Sequence, residues 1–389
     1  MKWDKKIFFL YITITTFFMY AGRLLVPALS GNIEDGLKIN HVQLGLGMTL
    51  FWLFYGLIQF PSGILVDEKG GKLVLNLSIF IFAFAFFLLS FLQNYVLFLL
   101  ALILMGIGFG GFYNASLKLI SIRFTKKRGK IFGIQSAIGS LAGISPVFIL
   151  PFINEFGWRI LVFLWAIISL ILAMLFLRAG AERNSENQSK KEGIKNGIII
   201  LRDRKVILFL VFNIVMSFCW FGLISFLPLY LIEGKDINEA IAVMIFSLVF
   251  VAGLFIRPLF GYLSDYISKK TLILILLFLA SFSCFLLAYA TTSYMLAIGA
   301  MLVATVSAFA PIRSVYLLNR WPVKSRGSRM GMYTTLVIII SSLSPIIVGY
   351  SIEYSNYHTI FLAFSFVVLF AAFVTLFLKY VYPTLTIKL

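Results

Sequence analysis

The 389-residue chain is short of charge, shorter still of acid, and almost without cysteine and histidine. Only 12% of its residues are charged, and 33 Lys and Arg are set against 15 Asp and Glu. That scarcity excludes an ordinary soluble domain, in which about a quarter of the residues carry charge. Cys219 and Cys284 both fall inside apolar runs, so neither a disulfide framework nor a thiolate metal cluster is expected. His41 and His358 sit at external loops with no ligand-like spacing, which argues against a metal site. There is no nucleophile–base pair and no nucleotide loop; "GIGFGG" from Gly106 sits within an apolar run and reads as glycine packing. The chain is not expected to be an enzyme or to need a cofactor. The first run lacks a small-residue cleavage site, so no removable signal is expected. The polar connections are too short for an appended sensor domain.

What remains is oil. Apolar residues make up 61% of the chain, in runs of about 20 that each suffice to cross a bilayer as a helix. Twelve are read: 7–30, 43–66, 73–92, 95–118, 131–153, 158–178, 205–232, 239–264, 271–290, 293–317, 329–352 and 357–380.

A net charge of +18 invites a nucleic-acid reading, and its distribution removes it. With the N-terminus placed in the cytoplasm, Lys38, Arg159 and Lys235 lie on external loops and Arg23, Arg257 and Arg313 within spans. Every other Lys and Arg is then cytoplasmic, as the positive-inside rule requires of a multi-pass protein of the cytoplasmic membrane with both termini inside. The basic excess faces lipid headgroups at most. Residues 179–204 form a polar, mixed-charge linker between an N-terminal bundle, 1–178, and a C-terminal one, 205–389. "GIKNGIIILRD" within the linker is expected as a short helix on the membrane surface.

The halves repeat. Gly63, Leu65, Asp67 and Lys72 in "GILVDEKGGK" recur 198 residues later as Gly261, Leu263, Asp265 and Lys270 in "GYLSDYISKK". The same offset carries Arg128, Gly129 and Gly133 onto Arg326, Gly327 and Gly331. Pro146 and Pro345 miss it by one residue, and Gly70 becomes Ser268. The duplication points to two six-helix halves. Spans three, six, nine and twelve are almost purely apolar and suit a lipid-facing periphery; polar residues concentrate in the other spans, as a wet interior requires.

These motifs, G-x-L-x-D-x-x-G-x-K after span two with its weaker copy after span eight, and R-G-x-x-x-G before spans five and eleven, resemble those of the major facilitator superfamily. The resemblance covers the whole chain. It implies an all-α membrane protein, twelve transmembrane helices in two pseudo-symmetric six-helix bundles around a central cavity, open alternately to each side. It also implies a transporter of small molecules. A monomer is expected.

Glycine at 63 and 261 would let helices approach closely. Asp67 is expected near the start of span eleven and Asp265 near the start of span five. A carboxylate at a helix start is worth roughly 0.3–2 kcal/mol, and Arg326 and Arg128 would add charge-assisted bonds. With Lys72, these residues form an expected latch that holds only while the cytoplasmic side is closed.

No Asp or Glu lies mid-span, whereas three arginines do. An unpaired intramembrane charge costs at least about 2.5–3.5 kcal/mol, and the guanidinium fork suits a carboxylate or phosphate. An anionic substrate is the economical partner. Arg23, in "MYAGRLLVPAL", shares Y-x-x-R with the organic-anion and organophosphate branches of the superfamily, and "QFPSGILVD" is similar to the anion:cation symporter group. Arg257, eight residues before Asp265, stands where monocarboxylate, oxalate and nitrate carriers bind their anion. Its first-half equivalent is Gln59, so the paired arginines of nitrate carriers are not reproduced. The competing readings are helix capping or a Tyr20 bond for Arg23, pairing with Asp265 for Arg257, and snorkelling for Arg313. Tyr20, Tyr55, Gln59, Tyr113, Asn114, Gln135, Asn213, Trp220 and Tyr333 are expected to shape the site, against ordinary packing as the alternative. The expected function is transport of a small organic anion, with a proton or counter-anion as coupling partner; efflux of drugs or other amphiphiles is the second reading.

Overall fold

The computed structural model describes residues 4–124, 128–178, 197–322 and 326–377. Twelve helices are long and apolar enough to cross a membrane: α1 (Lys5–Ala28), α2 (His41–Lys69), α3 (Gly71–Ser90), α4 (Tyr95–Arg123), α5 (Lys130–Ile153), α6 (Trp158–Leu177), α7 (Arg204–Gly234), α8 (Glu239–Ser264), α9 (Lys269–Tyr289), α10 (Ser293–Ser314), α11 (Ser328–Tyr354) and α12 (Tyr357–Phe377). They follow the expected runs to within a few residues at most ends. The face bearing Lys5 and Phe377 is called here the terminal face, and the opposite one the far face.

The helices start where a side chain satisfies the orphan N–H groups of the first turn. Asn40 and Gln43 form a reciprocal capping box at α2. Asn94, Asp203, Asn238, Ser268 and Thr292 cap α4, α7, α8, α9 and α10. Proline breaks α5 and α11 at matching places: each resumes with Pro in its first turn, at Ser145 and at Ser344. Of the linker only its last residues are described; Ile199–Arg202 is a single 3-10 turn with Ile200 buried, and α7 begins at Arg204. The rest of the expected surface helix lies outside the described residues.

The motif between α2 and α3 finds a local cause. Gly70 alone joins the two helices, at φ 90°, a conformation that glycine adopts without strain. In the second half the helical backbone of α8 runs on to Tyr266, and two residues, Ile267 and Ser268, make the same reversal with negative φ, which removes the demand for glycine. Lys72 and Lys270 act alike. Lys72 Nζ donates to the Leu177 carbonyl at the end of α6 (3.2 Å), and Lys270 Nζ to the Leu376 carbonyl at the end of α12 (2.9 Å). Each lysine therefore caps the last helix of its own bundle.

α3 and α12 turn Leu77, Phe84, Phe366 and Phe370 outward, as expected of a lipid-facing periphery. The two bundles meet through α2 against α11, α5 against α8, and α1 against α7. This set is symmetric under exchange of the halves. On the far side the seam is closed. A methyl group on Gly45 would stand 2.6 Å from the Pro345 carbonyl oxygen, and one on Gly349 would strike the carbonyl of His41. Thr49 Oγ1 accepts from the N–H of Ile346 at 3.0 Å, in the first turn after the α11 break where no intrahelical partner exists. Trp52 of α2 stacks on Phe221 of α7 with centroids 3.9 Å apart. On the terminal side, by contrast, an added methyl at Gly63, Gly133 or Gly331 would meet nothing within 4 Å. The close approach expected at Gly63 is not made in this conformation, because the seam is parted there.

Candidate functional site

A cavity of ≈ 780 Å³ lies between the bundles. Its lining runs from Arg23 and Trp220, mid-membrane, to Gly133, Gly261 and Ser314 near the terminal-face ends of α5, α8 and α10. It therefore opens toward the terminal face and stops below the closed seam.

All three intramembrane arginines line it. Arg23 stands one helical turn beyond Tyr20, on the same face of α1. Its guanidinium carbon lies 5.0 Å from the Tyr20 ring, 5.5 Å from Trp52 and 4.9 Å from Phe109. Such cation–π contacts hold a cation without neutralising it. Nε of Arg23 is buried without a hydrogen-bond partner. The expected alternatives for this residue, capping and a Tyr20 bond, are not what positions it; the rings are. The cage also forms the roof, since Trp52 continues through its Phe221 stack into the seam.

Arg257 lies across the cavity on α8. Its Nε donates to Ser307 Oγ of α10 at 2.8 Å, its Nη1 to Ser140 Oγ of α5 at 3.3 Å, and Trp220 sits 5.9 Å beneath it. These are neutral acceptors, and one of them belongs to the opposite bundle. Arg313, for which snorkelling was a competing reading, faces the same cavity, and its Nε is buried without a partner. Among the described lining residues there is no Asp or Glu. Asn213, Ser217, Ser136 and Tyr113 supply neutral polar groups. A side chamber of ≈ 220 Å³ shares Tyr20, Tyr113 and Arg257 with the main cavity and is closed by Thr16, Gln135 and Ser136. Gln135 Nε2 donates there to Thr13 Oγ1 at 3.1 Å, and its Oε1 has no partner.

Other expected residues lie off the lining. Asn114 Nδ2 donates to the Gln59 carbonyl (2.5 Å) and to Ser62 Oγ (2.7 Å), tying α4 to α2. Gln59 is 5% exposed, its Nε2 unpartnered. Tyr55 packs between Trp52 and Phe109, behind the cage. Tyr333 is fully buried, and its hydroxyl donates to the Phe209 carbonyl across α7. Trp52, Phe109, Ser140 and Ser307 are the site residues that sequence reasoning missed. Trp52 carried a signal, a tryptophan near the far end of a polar span; the two serines carried none.

Of the expected latch, Asp67 pairs with Lys118 at the end of α4, Nζ to Oδ1 2.7 Å, inside its own bundle. The cross-bundle contacts expected for it belong to a closed terminal face. Gly261 lines the cavity mouth. The side chains of Arg128, Asp265 and Arg326 lie outside the described residues. Elsewhere on the terminal face Asp203 caps α7 and takes Arg320 Nε at 2.7 Å, which holds its carboxyl below the usual range.

On the far face, the structure assembles a group that spacing conceals. Glu34, His41 and Glu233 each offer an atom within 4.8 Å of the others. Nδ1 of His41 faces Glu34 and Nε2 faces Glu233, on opposite edges of one ring. A single cation would have to displace one of these contacts, so the arrangement fits an ion-paired bridge, hydrogen-bonded on its Glu34 edge, better than a metal centre.

Comparison with known proteins agrees with this geometry. Similarity is found to a hexuronate transporter of Bacillus subtilis, 23% identical over 69% of this chain and 66% of that protein. A probable nitrate/nitrite antiporter of Thermus thermophilus is 28% identical over 65% of this chain and 60% of that protein. The matched stretch thus spans slightly under two thirds of these relatives. Among solved structures, an aspartate-to-alanine variant of the nucleoside transporter NupG superposes with a TM-score of 0.83 at 15% identity, over 95% of this chain and 98% of that one. At that identity the likeness concerns the fold. The family model of the Major Facilitator Superfamily matches residues 11–290 and again 237–387. Twelve helices in two repeated bundles, a cavity between them and a family match over both halves place this chain in the major facilitator superfamily.

Proposed function

We propose that the chain moves a small organic anion, a carboxylate, across the cytoplasmic membrane by alternating access, with the terminal face in the cytoplasm. The observation that carries this reading is the convergence of Arg23, Arg257 and Arg313 on one cavity whose described lining holds no carboxylate. Arg23 is held by ring faces and Arg257 by serine hydroxyls and a ring, none of them anionic, and the Nε of Arg313 is buried without a partner. An anion entering between Arg23 and Arg257 supplies the missing charge and can accept paired N–H bonds from the planar fork. The names of two relatives, for hexuronate and for nitrate/nitrite, share an anionic oxygen group as their common chemistry.

Binding between the bundles gives transport its handle. Arg257 already reaches Ser140 of the other half, so an anion shared by Arg23 and Arg257 draws α1 and α8 together over it. The terminal mouth then closes while the Trp52–Phe221 roof gives way. Asp67, with Arg326 and Arg128, would hold the closed terminal face. The energy comes from a counter-anion or proton gradient; with no acid in the described lining, anion exchange or uniport is the simpler scheme. The carrier acts as a monomer.

The test is uptake of labelled mono- and dicarboxylates by proteoliposomes, with Arg23→Ala and Arg257→Ala. Loss of saturable uptake in both variants is expected. Unimpaired anion uptake in both, or drug resistance of a sensitive host that survives loss of both arginines, would replace this reading with efflux of amphiphiles.

A further inference from the structure

The far-face bridge is independent of the cavity, and it spans the seam. His41 Nδ1 lies 2.9 Å from Glu34 Oε1 and its Nε2 3.5 Å from Glu233 Oε2. The backbone N–H of His41 donates to Glu353 Oε2 at 3.2 Å, and the Tyr357 hydroxyl donates to Glu233 Oε2 at 2.7 Å. Glu34 and His41 belong to the first bundle; Glu233, Glu353 and Tyr357 belong to the second.

A neutral imidazole has one N–H and one lone pair. Between two carboxylates, the lone pair would face an anion. Only the imidazolium presents positive charge to both carboxylates, hydrogen-bonded to Glu34 and at ion-pair distance from Glu233, so this geometry calls for a proton. The charges acting on the ring are Glu34, Glu233 and Glu353, all negative. The Glu34 carboxyl is itself pushed up, mainly by burial and further by Glu233 and Glu353, against the opposing pull of His41.

We propose that Glu34, His41, Glu233 and Glu353 form a far-side proton-binding site that is complete only when the bundles meet on that face, and that the bound proton favours this closure. The proposal takes alternating access from the reading above but does not depend on the substrate. Parting the far face leaves His41 with Glu34 and removes Glu233 and Glu353. The ring loses two of its three carboxylates, and Glu34 loses two like-charged neighbours. Both losses release protons. The closed far face therefore binds more protons, so falling pH stabilises it and rising pH opens it. The side chains of His41 and Glu233 remain 22% and 39% exposed, so the proton exchanges with far-side water. It regulates the cycle and is not cargo.

The measurement uses the full chain in lipid nanodiscs with spin labels at Gln93→Cys and Thr291→Cys, exposed far-face positions of the two bundles 198 residues apart. The native cysteines are buried and stay unlabelled. From pH 6 to pH 9 without substrate, the ratio of short to long label separations should fall by about fivefold or more, the lower range of inter-site coupling. His41→Gln, which donates without titrating, should flatten this response. Glu233→Gln, made on the other bundle, should reduce it. The same pH response in His41→Gln as in the parent, or none in the parent, overturns the proposal. Because no substrate is present, neither result bears on the arginine variants, and their failure would leave this site standing.

Discussion

Gly45→Ala offers the sharpest test of how the bundles close. The added methyl would stand 2.6 Å from the Pro345 carbonyl oxygen and 3.1 Å from Ile346 Cα. Both neighbours are backbone, so no rotamer change relieves the contact; α2 and α11 must move apart. Overpacking of this kind costs about 1–3 kcal/mol. Alanine also gains about 0.5–1 kcal/mol over glycine within a helix, but α2 is helical whichever face is open, so this gain cancels between conformations. The net penalty falls on the far-face-closed state alone. A shift of 1–3 kcal/mol corresponds to roughly 5–150-fold in population. Spin labels at Gln93→Cys and Thr291→Cys should accordingly show a large increase in long separations. Gly63→Ala is the matched control, since its methyl meets nothing within 4 Å, and it should not populate the long separations. An unchanged distance distribution in folded Gly45→Ala would refute the idea that backbone contact at the α2–α11 seam holds this face shut.

Thr49→Val leaves the Ile346 N–H buried without an acceptor, at about 1–3 kcal/mol, and should raise labelling of far-side cysteines in the same direction as Gly45→Ala. Asp67→Asn removes a half-exposed pair with Lys118 worth at most about 1 kcal/mol; its melting temperature should barely change, while the population open at the terminal face rises, read as greater alkylation of a cavity cysteine from the terminal side. Asp203 has its carboxyl depressed by Arg320, so the stability this pair contributes is present above the ordinary carboxylate range and is lost as pH falls through the lowered value. Asp203→Asn should remove that acid-side loss in a thermal-shift titration.

Much of the fold could be read in the sequence because lipid imposes it. Twenty apolar residues admit few other structures, and the 198-residue offset was visible in seven matched positions. The arginines were equally conspicuous, since a charge inside a span has few bland explanations. The rotational phase of neutral residues was not visible. Gln59 is in register with Arg257 by the repeat, yet it is buried off the lining, with Asn114 of α4 on its backbone carbonyl, while Arg257 faces the cavity. Tyr333 and Gln135 are likewise equivalent in sequence, and one is sealed in packing while the other borders the side chamber. Ser140 and Ser307 are two among many serines until Arg257 reaches both. The far-face bridge joins residues nearly two hundred positions apart or more, and neither half of it resembles a site alone. Latch expectations at Arg128, Asp265 and Arg326 fall on side chains outside the described residues.

The paired lysines carry a consequence for biogenesis. Lys72 and Lys270 each secure the final helix of the bundle in which they are made. A ribosome that has released α6 has already supplied the cation that finishes it. The first six helices can thus mature before the seventh is synthesised, and the second six carry their own finishing contact in the same place. A gene divided within the linker should therefore yield two fragments that insert separately and reassemble into a working carrier, whereas loss of Lys72 should impair the first fragment and leave the second intact.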